Sequence, residues 1–204
     1  PYTASVFSIL FGIIGVSLLA FFTNTVSAII ALSSFLTYAF IYTPLKRKSR
    51  ISVLIGAFPG AAPTLIGYTA AMGTIDELGI LIFTIQFIWQ FPHFWAIAWN
   101  LDDDYRKAGI FMLPSKKGRS KSTALITLIV TSGLIFTSLY LMFFMESNLI
   151  AGILISILSL HFMHQAYKLY QTTENKAAKK LMFGSFYYLP LVQLILIASK
   201  LIHF

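Results

Sequence analysis

The chain has 204 residues, 57% of them hydrophobic and 11% charged, with a net charge of +8 and no cysteine. Soluble domains carry about a quarter charged residues, so this composition excludes a surface that faces water over most of its area; lipid must cover it. The lack of thiols excludes disulfides, thiolate metal sites and a cysteine nucleophile.

A bilayer core about 30 Å thick calls for roughly 20 apolar residues per helix. Seven segments meet or approach that length: Tyr2–Phe22, Thr25–Tyr42, Ile51–Met72, Leu78–Trp99, Ser122–Met145, Asn148–Tyr170 and Leu181–Phe204. They are too long for strands and lack period-two alternation. The expected fold class is therefore all-α, a polytopic transmembrane bundle of seven helices forming one domain over residues 1–204. Hydrophobic sequence begins directly at Pro1, which sets the expectation that an N-terminal part precedes it.

The charges sort by loop. Lys46, Arg47, Lys48 and Arg50 follow the second segment, and Arg106, Lys107, Lys116, Lys117, Arg119 and Lys121 follow the fourth. Lys168, Lys176, Lys179 and Lys180 lie between or beside the sixth and seventh. Alternate loops share a membrane face, so 14 of the 15 basic residues fall on one side; Asp76, Glu77 and Glu146 fall on the other, as does Lys200. The positive-inside rule puts the basic face in the cytoplasm or the equivalent matrix side. Membrane topology thus accounts for the positive charge, and no nucleic-acid partner is expected.

Taken in chain order, the first loop with chemical content is Tyr42-Thr-Pro-Leu-Lys-Arg-Lys-Ser-Arg. It reads either as a helix end with topology-setting charges or as a phosphate grip, Lys46 as a point charge and Arg47 as a fork. In the third segment, the Gly56/Gly60 spacing permits close helix contact, while Pro59 and Pro63 suggest a bend. The fourth segment carries Gln86, Gln90 and His93 at i, i+4 and i+7, which predicts one polar stripe. Ionisable groups within a span face a bundle interior or cavity, so His93 is either interhelical glue or a substrate contact. Trp95 and neighbouring aromatics could line an isoprenoid tunnel or stabilise a carbocation.

The loop after that segment reads Asn100-Leu-Asp-Asp-Asp-Tyr-Arg-Lys-Ala-Gly-Ile-Phe-Met-Leu-Pro. If the helix continues one more turn, Asn100 and Asp104 project from one face. Clustered carboxylates repel unless a cation sits among them, and Mg²⁺ takes hard oxygen ligands that it often shares with substrate phosphates. Arg106 and Lys107 beside Asp103 and Asp104 would suit a diphosphate leaving group; a solvated acidic cluster is the alternative. His161 and His164, at i, i+3 in the sixth segment, read as polar or interfacial groups or as metal ligands.

Four stretches resemble the heme O synthases, a branch of the UbiA-type intramembrane prenyltransferases: Tyr42-Thr-Pro-Leu-Lys-Arg, Gly60-Ala-Ala-Pro-Thr-Leu-Ile-Gly67, Trp89-Gln-Phe-Pro-His-Phe-Trp, and Asp104-Tyr-Arg-Lys-Ala-Gly-Ile-Phe-Met-Leu-Pro. The resemblance implies a nine-helix bundle around a central cavity, of which this chain matches the last seven helices. It implies two acidic motifs on one face, and the first of them would precede Pro1, so the chain alone is expected to be inactive. Asn100, Asp103 and Asp104 match the second motif, the implied catalytic and Mg²⁺ ligands. Lys46, Arg47, Arg106 and Lys107 would hold diphosphate, and His93, Tyr42, Trp95 and Tyr105 would contact substrate. Phe111 stands where the family has proline.

The implied reaction transfers a farnesyl group from farnesyl diphosphate to a vinyl group of heme b. The implied setting is the bacterial cytoplasmic membrane or the mitochondrial inner membrane. An association with heme A synthase or terminal oxidase assembly is a further expectation. The rivals are a prenyltransferase with another aromatic acceptor, a transporter or channel, and a structural subunit.

Overall fold

The computed structural model describes residues 2–46, 48–144 and 149–202, and among them every regular element is helical. In chain order these are α1 (Tyr2–Phe22), α2 (Thr25–Leu36), a π-helical segment (Thr37–Tyr42), α3 (Thr43–Leu45), α4 (Ser52–Met72), α5 (Glu77–Asn100), α6 (Asp102–Lys107), α7 (Lys121–Phe144), α8 (Leu149–Thr172) and α9 (Asn175–Ile202). Six helical stretches are long and apolar enough to cross a membrane, the first of them Thr25–Leu45. Seven spans were expected. The described apolar stretch of α1, Val6–Phe22, falls short of the length that composition alone would accept.

Two boundaries differ from the sequence expectation. The last helix begins at Asn175, not Leu181, so Lys176, Lys179 and Lys180 are helical. Lysine is a good helix former, and its long stem lets a helix run past the apolar region while the ammonium stays in water. The second span continues through a widened turn to Leu45. Pro44 brings no N–H to the helical ladder; just upstream, the backbone N–H and the hydroxyl of Thr43 both return to the Tyr38 carbonyl. The π turn sets the Tyr38 and Tyr42 rings 5.1 Å apart.

α5 is the hub, packing against α4, α7 and α9, while α8 lies between α7 and α9. Its buried face carries Ile85, Phe91, Trp95, Ala96 and Trp99. Elsewhere large apolar side chains point outward, among them Phe21, Phe40, Phe136 and Phe143, a surface that suits lipid and not water.

Tertiary contacts sort the loops by end, as the charges do. At one end Asn24 donates to the Thr69 carbonyl (2.7 Å) and Tyr68 to Asp76 (2.6 Å). At the other, Trp99 Nε1 donates to Asn175 Oδ1 (3.2 Å), and the guanidinium of Arg50 covers the Phe111 ring at 5.2 Å. The loops at 46–51, 101–120 and 173–174 therefore gather at one basic end. Pro59 and Pro63 sit inside α4 without breaking it.

Candidate active site at the basic end

The polar groups of α5 divide between two neighbours. Gln90 is buried, and its Nε2 donates to the Ala57 carbonyl of α4 (2.8 Å). His93 turns toward α9: its Nδ1 lies 2.8 Å from Ser185 Oγ, and its ring stacks on Trp89 at 4.6 Å. Trp89 Nε1 donates to the Ser185 carbonyl (3.0 Å). The predicted single stripe is thus a pair of interhelical contacts on adjacent faces. His93 keeps Nε2 without a hydrogen-bond partner among the described residues.

The glycines of α4 are open spaces for neighbouring side chains, as their spacing suggested. A Cβ on Gly56 would lie 2.8 Å from the Tyr42 ring, and one on Gly60 would collide with Gln90 Oε1. Between these elements lies a cavity of about 280 Å³, whose lining includes Tyr38, Tyr42, Gly56, Gly60, Gln90, Phe94 and Met112. Tyr105 lies within electrostatic reach of Tyr42. Trp95 is buried in the packed core beside Phe91.

The loop after α6 alternates its side chains among three environments. Phe111 lines a second cavity, of about 400 Å³, with Lys46, Lys48, Arg50 and Lys116; Met112 lines the first; Leu113 is buried in the core. No carboxylate lines the second cavity. Arg50 Nε is buried there without a hydrogen-bond partner, which is costly for a charged group unless a ligand supplies the acceptor. Phe111 is the ring beneath that guanidinium. Arg47 lies outside the described residues.

The acidic residues form their own short helix, because α5 ends at Asn100 and Leu101 leaves helical geometry (φ −108°, ψ 14°). The further turn that would put Asn100 and Asp104 on one helix face therefore does not occur. The cause is distant in sequence. Arg119 Nε donates to the Trp99 carbonyl (2.7 Å) and Nη2 reaches the Asn100 carbonyl (3.5 Å), filling acceptors that a helix end leaves open. The same guanidinium pairs with Asp103 at 3.1 Å.

Asp102 is the sheltered carboxylate, 13% exposed and bound to Arg106 Nε at 2.9 Å. Asp103 is 72% exposed, and Asp104 is 76% exposed with Lys107 at 3.7 Å. The Asn100 amide donates to its own helix at the Ala96 carbonyl (2.7 Å). Among the described residues no group of three or more histidine or acidic side chains is gathered tightly enough to hold a metal. Asp103 and Asp104 nevertheless offer hard, accessible oxygens of the kind Mg²⁺ takes when phosphate completes its shell.

Sequence reasoning placed Lys46, Arg106 and Lys107 at this end, and they are here. It treated Lys48, Arg50, Lys116 and Arg119 as topology charges only. What marks Lys48, Arg50 and Lys116 is the joining of two loops about 65 residues apart, and what marks Arg119 is its hold on the end of α5, both tertiary facts with no local signature.

An apolar helical bundle whose basic groups converge beside aromatic cavities at one end defines a polytopic membrane protein. The chain belongs to the UbiA prenyltransferase family, whose model matches residues 1–187, and it is an integral membrane protein. It is 46% identical to a protoheme IX farnesyltransferase of Cytophaga hutchinsonii over 97% of this chain and 69% of the relative. For that of Christiangramia forsetii the values are 43%, 88% and 61%, and for that of Flavobacterium johnsoniae 43%, 97% and 67%. The chain thus spans about two thirds of the length of these relatives. No solved structure matches it.

Proposed function

We propose that the full-length protein transfers a farnesyl group from farnesyl diphosphate to a vinyl group of heme b, making heme O. The observation that carries this reading is the cationic cavity of Lys46, Lys48, Arg50 and Lys116 beside the tyrosine-lined one, in a chain so similar to proteins of that activity. A diphosphate with an apolar tail needs both kinds of surface side by side.

In the reaction the bond between farnesyl C1 and oxygen breaks and diphosphate departs with the electron pair. C1 bonds the terminal vinyl carbon, water adds to the carbon next to the porphyrin, and a proton is lost. Lys46 and Arg50 would take up the phosphate charge, with Arg106 and Lys107 as further basic groups from the same end and Arg47 as a candidate on its sequence alone. Asp103 and Asp104, with Asn100, would hold Mg²⁺, which when bound would neutralise diphosphate charge. Tyr42 and Tyr105 would border the farnesyl chain, and Trp95 would support the wall from the core. His93, anchored through Nδ1 to Ser185, would present Nε2 to the heme.

By the positive-inside rule the basic end faces the cytoplasm of a bacterial membrane. An enzyme that consumes heme O, such as heme A synthase in terminal oxidase assembly, is the proposed partner. The test is an assay of the purified full-length protein with farnesyl diphosphate, heme b and Mg²⁺, following heme O by mass. Product that disappears with EDTA or Asp104→Ala supports the reading. A folded protein that makes none, while prenylating another aromatic acceptor, moves the function elsewhere in the family.

A further inference from the structure

His161 and His164, which the proposed reaction leaves unused, line a groove of about 450 Å³ between α8 and α9. Lys168, Lys176 and Lys180 line it too, against a single carboxylate, Glu174. Among the described residues none of these lysines pairs with a carboxylate. The groove shares no lining residue with the cavities of the candidate active site.

Depth distinguishes this groove from a loose patch of surface charge. At about 1.5 Å per residue, His164 and His161 lie about 6 and 10 Å farther along α8 from the basic end than Lys168. They are exposed there, among the outward-facing Leu160 and Ile157 of α8 and Phe183 of α9. His161 Nε2 lies 2.7 Å from Tyr187 Oη, and Gln165 Nε2 donates to the same oxygen at 2.7 Å. Gln165 Oε1 is buried without a partner. Polar groups on an outer face at this depth are costly unless something polar meets them.

We infer that the groove binds the headgroup of an anionic phospholipid. The phosphate would sit among Lys168, Lys176 and Lys180. The glycerol and ester oxygens would reach His164 and His161, and the acyl chains would follow the apolar faces below. The interfacial region is about 5–8 Å thick on each side of the hydrocarbon core, which matches the offset of His164 from Lys168; His161 lies at the edge of the hydrocarbon core. A free phosphate would satisfy the lysines and leave His164 unmet.

The test is native mass spectrometry of the full-length protein in detergent with equal amounts of phosphatidylglycerol and phosphatidylcholine of matched chains. A lysine near the surface contributes about fivefold to anionic-lipid binding, so the wild type should retain phosphatidylglycerol at least tenfold over phosphatidylcholine. The combined Lys168→Gln, Lys176→Gln and Lys180→Gln variant should lose that preference with its far-UV spectrum unchanged. Should it misfold, Lys176→Gln alone should lower the preference severalfold. Equal retention of both lipids by the wild type overturns the proposal, as it would if residues outside this chain cover the groove. So does a preference that survives the substitutions, or displacement of the lipid by millimolar inorganic phosphate, which would mark a free-anion site.

Discussion

Gly60→Ala tests the close approach of α4 and α5. The new methyl collides with Gln90 Oε1, and Gln90 is 3% exposed with its Nε2 committed to the Ala57 carbonyl at 2.8 Å. The amide must swing away, and a buried amide left unsatisfied costs about 1–3 kcal/mol. Replacing glycine by alanine within a helix gains about 0.8–1.0 kcal/mol in propensity. The net expectation is a loss of up to about 2 kcal/mol. In a Gln90→Ala background nothing remains to collide, so the same substitution should stabilise, by up to about 1 kcal/mol. The sign itself reverses, and the coupling between the sites should be about 1–3 kcal/mol. Equilibrium unfolding of the four proteins in mixed micelles measures it. An equal effect of Gly60→Ala in both backgrounds would refute the argument that Gln90 fills the space left by the missing Cβ.

Three other predictions concern the loops. Arg119→Lys keeps the charge but cannot fork between two carbonyls and Asp103; it should cost about 1.5–3 kcal/mol by thermal unfolding, and heme O formation should fall with it. Gly109 and Gly118 have φ of 69° and 64°, but a Cβ is free of contacts at the first and meets the Arg106 guanidinium at the second. Both alanine variants should lose about 1–2 kcal/mol, and Gly118→Ala alone should also lower activity by pushing Arg106 off Asp102; equal activities would refute that. Hydrogen bonds from Tyr68 and from the Gly79 backbone hold Asp76 below its ordinary value of 3.8. Its contribution is therefore complete above the unfolded value and lost as pH falls through the lower folded one. The stability advantage of wild type over Asp76→Asn should be constant from pH 7 to about 5 and shrink below about 4, and an advantage unchanged near pH 3 would contradict it.

The bundle was legible because membrane helices are written in long apolar runs, and the sorting of its loops because loop charge is a one-dimensional record of which end each loop occupies. The tight spots were legible as well: Gly56 and Gly60 announced a close approach, and Tyr42 and Gln90 occupy it. What the sequence concealed was made by residues far apart. The end of α5 was legible to within a residue, but its cap was not: Arg119 lies 19 and 20 residues downstream of the carbonyls it caps. Lys176 to Lys180 misled for another reason. Charge marks the edge of the apolar region, and a helix need not stop there.

The π turn at Thr37–Tyr42 makes the tyrosine-lined cavity a matter of arithmetic. Such a turn houses one residue more than an α-helical turn would, so a single-residue deletion within it could be absorbed by a return to regular helix. Everything downstream would then keep its register, with Tyr42 still against Gly56 and Lys46 still at the basic cavity, whereas an inserted residue that continued as regular helix would rotate it all by about 100° (one residue at 3.6 per turn). Chain length within this stretch, more than the identity of any side chain in it, sets the aim of the segment that follows. A one-residue insertion here should silence the protein while leaving its helix content intact, and a one-residue deletion should be tolerated.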